Sequence, residues 1–170
     1  MNQTRKLTLS AMFLTIGMIL PFFTGQIPQV GNMLLPMHIP VLLCGFLCGG
    51  KYGLVVGFIL PVLRSGCFGM PPMMPTAIAM AFELAAYGTI SGMLYEKTKN
   101  TIGSLICAMI GGRIVWGIVS FILYQMMGNV FTWQIFAAGA FLQAVPGIVV
   151  QIMLIPILVY QMGDDSHLYR

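Results

Sequence analysis

Apolar runs of helix length recur along this chain, and short polar segments between them carry most of its charge. Hydrophobic residues make up 58% of the 170 residues and charged residues 7%. So few charges cannot cover the surface of a water-soluble domain. In a bilayer every backbone polar group must be paired internally, and a helix does this within one run. The sequence therefore predicts an all-α integral membrane protein.

The length of the chain limits the number of crossings. At about 20 residues per crossing plus loops, the chain holds roughly six helices in a single membrane domain covering residues 1–170. The apolar runs predict these helices at 7–23, 37–49, 52–64, 76–95, 102–126 and 136–162. The sequence thus predicts a six-helix bundle that crosses the membrane with both ends on one side.

The basic residues predict which side that is. Ends and loops on one side carry Arg5, Lys6, Lys51, Lys97, Lys99 and Arg170. On the other side only Arg64, at a predicted helix end, is basic, and the loops there are 24–36, 65–75 and 127–135. By the positive-inside bias, both termini are cytoplasmic in a bacterial-type plasma membrane and these three loops face outward. Since the basic residues form no patch, lipid rather than nucleic acid is the predicted surrounding.

The segment from His38 to Arg64 reads as two apolar helices that fold back on each other at 49–52. Four glycines in it are spaced four apart, at Gly45, Gly49, Gly53 and Gly57. Glycines at this spacing let helix backbones approach closely in lipid. We interpret the row as a packing surface. The fourth helix is rich in small residues, so we expect it to lie centrally among its neighbours.

Glu83 and Arg113 are the ionisable residues well inside the predicted fourth and fifth helices. A charge at such depth costs at least about 2.5 kcal/mol on insertion scales, so it normally faces the bundle interior. Tyr87 shares a helix face with Glu83, and Trp116 shares one with Arg113. The spacing lets the arginine reach toward Glu83. Two interpretations stay open: an ion pair that holds the helices together, or contacts with a polar ligand.

Other polar residues border the same predicted outer region. Arg64 would supply a second positive charge, although an arginine at a helix end commonly snorkels to the interface. His38, at a helix start, is more often a hydrogen-bonded cap residue than a ligand contact. The candidate ligand-binding residues are Arg64, Glu83, Tyr87, Arg113, Trp116, Trp133, Gln143, Asn32 and His38.

The sequence does not predict an enzyme. Residues 45–52, GFLCGGKY, approach the phosphate-binding pattern G-x-x-x-x-G-K-[ST], but Tyr52 replaces the magnesium-binding hydroxyl and no strand precedes it. HExxH and GxSxG motifs are missing. The four cysteines form no CxxC pair, and we interpret them as small buried hydrophobic residues. We therefore expect no catalytic residue, metal or cofactor in this chain.

The whole pattern resembles the substrate-binding S components of energy-coupling factor (ECF) vitamin transporters. The features that match are six helices in this length, the hairpin HIPVLLCGFLCGGKYGLVVGF, the proline-rich loop after it and the alanine-rich fourth helix. The resemblance implies a vitamin pocket near the outer face. It also implies two kinds of partner, a transmembrane coupling protein and two cytoplasmic ATPase subunits, and it is these ATPases that use ATP.

The resemblance further implies a mechanism. An S component binds its vitamin outside, docks on the coupling protein and topples so that the pocket opens inward. The first helix of this family often carries an A-x-x-x-A packing motif, and the nearest match here is Ala11-x-x-x-Thr15. The predicted partner-docking residues are Ala11, Thr15, Gly45, Gly49, Gly53 and Gly57.

The identity of the ligand stays open at this stage. Two arginines favour an anionic or strongly polar molecule such as pantothenate. Glu83 beside Tyr87, Trp116 and Trp133 suits a vitamin B6 form equally well, by charge pairing and stacking. Two other functions compete: a membrane scaffold like the rod-shape proteins of similar size, which needs no small ligand, and a stand-alone secondary carrier that uses Glu83 as its ion site.

Overall fold

The computed structural model describes residues 2–24, 35–128, 132 and 145–164. Within these residues the chain forms six α-helices: α1 Gln3–Ile19, α2 His38–Cys48, α3 Gly50–Phe68, α4 Ile78–Thr98, α5 Thr101–Met126 and α6 Val145–Asp164. Five of the described segments are long and apolar enough to span a membrane, while α2 is a shorter apolar helix. The predicted all-α membrane fold with six helices is confirmed. The cytoplasmic location of the termini stays a prediction.

Two predicted boundaries differ from the structure around the loop at 65–75, which the sequence predicts to face outward. Helix α3 continues to Phe68 instead of ending at residue 64, and it stops where Gly69 adopts φ +69°. Glycine takes this left-handed conformation without steric cost, which is why it ends helices so often. A wide turn, Met73–Ala77, then leads into α4. Arg64 therefore lies inside a helix, and the expectation that it ends one is wrong.

Helix α4 lies at the centre of the described bundle and packs against α2, α3 and α5. The central position predicted for the helix rich in small residues is confirmed. The order of the contacts along α4 shows in which direction α3 runs beside it. Gly53 and Gly57 of α3 meet Gly88 and Leu84 in turn, so α3 runs antiparallel to α4.

The backbones of α3 and α4 touch directly where glycines replace side chains. A Cβ atom added to Gly53 would lie 2.6 Å from the carbonyl oxygen of Gly88. One added to Gly57 would lie 2.5 Å from the carbonyl carbon of Leu84. Real side chains cannot approach backbone this closely. The glycine row is therefore a packing surface, as its spacing predicted.

The same contacts correct part of the predicted docking surface. Gly45, Gly49, Gly53 and Gly57 are all buried within this chain. Their close approach is to α4 of the same molecule, so they do not offer an exposed face to a partner. The spacing identified a packing face, but the helix that covers it is the chain's own.

Ala11 and Thr15, the other predicted docking residues, are exposed on α1. The Thr15 hydroxyl donates to the Ala11 carbonyl oxygen at 2.9 Å, so its hydrogen bond is satisfied within the helix. This leaves a face of small side chains on α1. Its role in docking stays a prediction.

We expect Gly53→Ala to destabilise the protein because the added methyl group would force α3 and α4 apart. Overpacking of this kind costs about 1–3 kcal/mol. The measurement is thermal unfolding of the purified protein in detergent. Gly66→Ala is the matched control, since this α3 glycine has no atom within 4 Å of an added Cβ, and alanine favours helix. Equal melting temperatures for the two variants would contradict the close backbone contact.

Candidate functional site

Four buried side chains from three helices meet near the starts of α2 and α4, and we call them the Glu83 cluster: Glu83 and Tyr87 on α4, Arg113 on α5 and His38 on α2. The Arg113 Nη1 atom lies 2.9 Å from Glu83 Oε1. The His38 Nε2 atom lies 3.5 Å from the same oxygen. Glu83 is 2% exposed and His38 1%. The structure thus forms the Arg113–Glu83 pair that the sequence allowed, and adds His38 to it.

Tyr87 completes the cluster through ring contacts. Its ring meets the His38 ring edge to face, with centroids 5.1 Å apart and an interplanar angle of 79°. On its other side lies Gly112 of α5, where an added Cβ would be 2.8 Å from Tyr87 Cε2. Because Gly112 has no side chain, α5 comes close enough for Arg113 to reach Glu83. Sequence reasoning missed Gly112, although its signal was a glycine directly before the buried arginine.

The cluster has more hydrogen-bonding capacity than the described part of the chain uses. Among the described residues, the following buried side-chain atoms have no hydrogen-bond partner: both His38 ring nitrogens, Glu83 Oε1, Arg113 Nε and Nη2, and Gln151 Nε2. The short Arg113–Glu83 contact is therefore an ion pair whose geometry does not make a hydrogen bond. An unpaired buried polar group costs about 1–3 kcal/mol, and folded proteins rarely leave one. The five of these atoms that belong to His38, Glu83 and Arg113 lie within the cluster, so the cluster has room in its hydrogen bonding for further polar partners.

Gln151 is the member of this set outside the cluster, and it lies on α6. It is 1% exposed, and its helix packs against α2 and α5, which carry His38 and Arg113. In a chain of alternating crossings, α2, α4 and α6 begin on the same side of the membrane. His38, Glu83 and Gln151 all fall within the first two turns of these helices. Buried polar groups thus gather toward the side that the sequence predicts to face outward.

Arg64 is buried elsewhere, with different partners. Its Nη1 atom donates to the backbone carbonyl of Met18. Its guanidinium carbon lies 4.8 Å from the ring centre of Phe22 and 5.3 Å from that of Phe68. A carbonyl near the C-terminal end of a helix attracts a cation. At 2% exposure, Arg64 does not snorkel, and it joins the end of α1 to α3.

The remaining predicted ligand contacts are only partly described. Trp116 is half-buried on α5, one turn beyond Arg113. Asn32, Trp133 and Gln143 lie outside the described residues. Among the residues that the structure covers, no group of three or more His, Cys, Asp or Glu side chains could hold a metal ion.

A comparison with protein families gives one match over most of the chain. A family model described as "ECF transporter, substrate-specific component" matches residues 5–160. No curated protein and no solved structure matches the chain.

We expect Gly112→Ala to disturb the cluster, because its methyl group would meet the Tyr87 ring. The neighbouring Gly111→Ala is the matched control, since its methyl would meet only the flexible tip of Ile90. Gly112→Ala should lower stability by about 1–3 kcal/mol, and Gly111→Ala by clearly less. Thermal unfolding in detergent measures both. The close Tyr87–Gly112 packing would be contradicted if Gly111→Ala were the more damaging change.

We expect Arg64→Leu to destabilise the protein, because it leaves the Met18 carbonyl unpaired and removes the cation between two aromatic rings. Losing a buried partner of this kind costs about 1–3 kcal/mol. Arg64→Lys should lose less, because it keeps a charge and a donor. The control is Lys99→Gln, which removes an exposed cation lying 5.6 Å from the Tyr95 ring centre. If Arg64→Leu had the same melting temperature as the wild type, this contact would not be what holds α1 to α3.

Proposed function

The chain belongs to the substrate-specific components of ECF transporters, and on that premise we propose that it captures a water-soluble vitamin from outside the cell at the Glu83 cluster. Proteins of this family are multi-pass membrane proteins that bind the solute to be transported, and they are not enzymes. The observation that carries the proposal is the buried set of unpaired polar atoms on His38, Glu83 and Arg113.

An ion pair with a purely structural role would be a poorer fit to this geometry. Such a pair is stabilising only when its remaining hydrogen-bonding atoms are also satisfied. Here Arg113 engages Glu83 through Nη1 alone, and its Nε and Nη2 atoms have no partner among the described residues. A polar ligand that fills these positions would repay the desolvation of the charges. This favours the ligand-binding interpretation of Glu83 and Arg113 over the structural one.

Two ligand classes remain in the proposal. Pantothenate would place a carboxylate against Arg113. A vitamin B6 form would place its ring near Tyr87 and His38, whose rings already lie edge to face. Arg64 takes no part in this version of the site, because its hydrogen bond and ring contacts are with Met18, Phe22 and Phe68.

The family also implies an energy-coupling module, and we propose its composition as a transmembrane coupling protein and two cytoplasmic ATPase subunits. The exposed small face of α1, at Ala11 and Thr15, is the proposed docking surface. In this scheme the loaded protein docks, topples and opens inward, and ATP used by the partners resets it. Because members of this family bind a substrate, the alternative of a membrane scaffold without a small-molecule ligand is excluded. A carrier working alone would differ from this scheme by taking up its solute without the partners or ATP.

We expect the double variant Glu83→Gln with Arg113→Met to fold but to lose ligand binding. Each single change leaves a charge buried without its partner, which costs about 3–5 kcal/mol. In a single variant, a loss of binding could therefore result from loss of the fold. The double variant removes both charges together. Native mass spectrometry of the detergent-purified wild type against a panel of vitamins first identifies the ligand, and calorimetry then compares the variants.

The outcomes separate the two roles of the pair. A double variant with a wild-type melting temperature and binding weakened at least about 100-fold, equivalent to about 2.7 kcal/mol, supports the proposal. A double variant that keeps wild-type affinity would assign the pair a purely structural role. Gly66→Ala, at an α3 position with no atom within 4 Å of an added Cβ, is the control that should bind like the wild type.

A further inference from the structure

The unpaired atoms of Arg113 lie on one edge of its guanidinium group. A guanidinium carries five N–H groups in a rigid planar fork. Nη1 faces Glu83 at 2.9 Å, while Nε and Nη2 have no hydrogen-bond partner in the described part of the chain. Covalent geometry places Nε and Nη2 side by side on the same edge, with parallel N–H bonds. This edge matches the two oxygens of a carboxylate, which arginine commonly binds in a bidentate manner.

We propose that the ligand is a small monocarboxylate whose carboxylate group binds the Nε–Nη2 edge of Arg113. This inference rests on the proposed function, because it names the chemistry of the molecule bound at the same site. Bidentate binding would satisfy both unpaired Arg113 donors with one group. A single hydroxyl oxygen, as on an uncharged vitamin B6 form, cannot lie in line with both N–H bonds.

The charge of the cluster favours a monoanion over a dianion. The charges of Arg113 and Glu83 cancel in the ligand-free cluster. A monocarboxylate adds one negative charge to it. A phosphate ester would add a second negative charge near Glu83, and the described cluster holds no further cation to balance it. In a site of low dielectric constant such an imbalance is strongly unfavourable.

The unpaired amide nitrogen of Gln151 extends the same pattern. Gln151 Nε2 is a donor and is buried without a partner among the described residues. With Arg113 Nε and Nη2, it makes donors the majority of the unpaired atoms on these buried polar residues. A ligand that satisfies these atoms must bring acceptor oxygens. A carboxylic acid with further carbonyl or hydroxyl oxygens has this chemistry.

The test uses pairs of ligands that differ only at the carboxylate: pantothenate and panthenol, nicotinate and nicotinamide, 4-pyridoxate and pyridoxine, biotin and biotin amide. Binding to the purified full chain is measured by calorimetry at pH 7. We expect the acid of one pair to bind, and its neutral counterpart to bind at least about 100-fold more weakly, since the neutral group gives up the bidentate pairing of a carboxylate with the guanidinium edge.

Arg113→Lys is the informative variant, because it keeps the charge but lacks the planar fork. We expect it to weaken binding of the acid about 10- to 100-fold and to leave the neutral analogue nearly unchanged, so that discrimination within the pair falls by the same factor. Arg64→Lys is the matched comparison, because this second buried arginine contacts other residues. It should keep the discrimination. Loss of discrimination in Arg64→Lys instead would overturn the proposal.

The remaining outcomes separate this inference from the proposed function. Tight binding of an uncharged vitamin or of a phosphate ester, without preference for a carboxylate, would overturn the monocarboxylate inference and leave the vitamin-binding function standing. No binding of any vitamin to a folded, monodisperse wild type would overturn the proposed function, and with it this inference.

Discussion

The direct backbone contact between α3 and α4 is the interaction on which the rest of the structure depends. Lipid tails are as apolar as leucine, so helices in a bilayer are held together mainly by close packing. Gly53 and Gly88 supply that packing by bringing two backbones together. The contact holds α4 at the centre of the bundle, between α2, α3 and α5. Glu83 and Tyr87 consequently lie where α2 and α5 converge, so the packing that holds the bundle also positions the site.

The two buried arginines differ in how their guanidinium groups are surrounded. Arg64 donates to the Met18 carbonyl and lies over two aromatic rings. Arg113 contacts Glu83 through one nitrogen, and its other two donor nitrogens lack partners in the described part of the chain. Both side chains are almost fully removed from solvent, so burial does not distinguish them. What distinguishes them is the surroundings of the guanidinium group: Arg64 lies against a carbonyl and two rings, whereas Arg113 has two buried donors without a hydrogen-bond partner among the described residues.

Local patterns explain what the sequence could predict. The helices follow from apolar runs, the glycine packing face from i, i+4 spacing, and the Arg113–Glu83 pair from the cost of isolated charges in lipid. The sequence could not show which helix covers the glycine face, because spacing defines a face but not its partner. His38 at the start of α2 looked like a cap residue, and only the three-dimensional arrangement brings it to Glu83. The end of α3, four residues past Arg64, lies where Gly69 takes a left-handed conformation, which the apolar pattern does not reveal.

A ligand bound to the unpaired polar atoms would also stabilise the helix bundle. His38, Glu83 and Arg113 come from three helices, α2, α4 and α5, so a ligand that bonds to all of them would bridge these helices. Without it, each unpaired buried group costs about 1–3 kcal/mol. A ligand therefore favours the conformation in which the three helices are closely packed, by as much as its contacts differ between that conformation and looser ones. Under the proposed function, the loaded protein would be the more rigid body, and a rigid body is what a partner needs in order to tilt the whole bundle within the membrane.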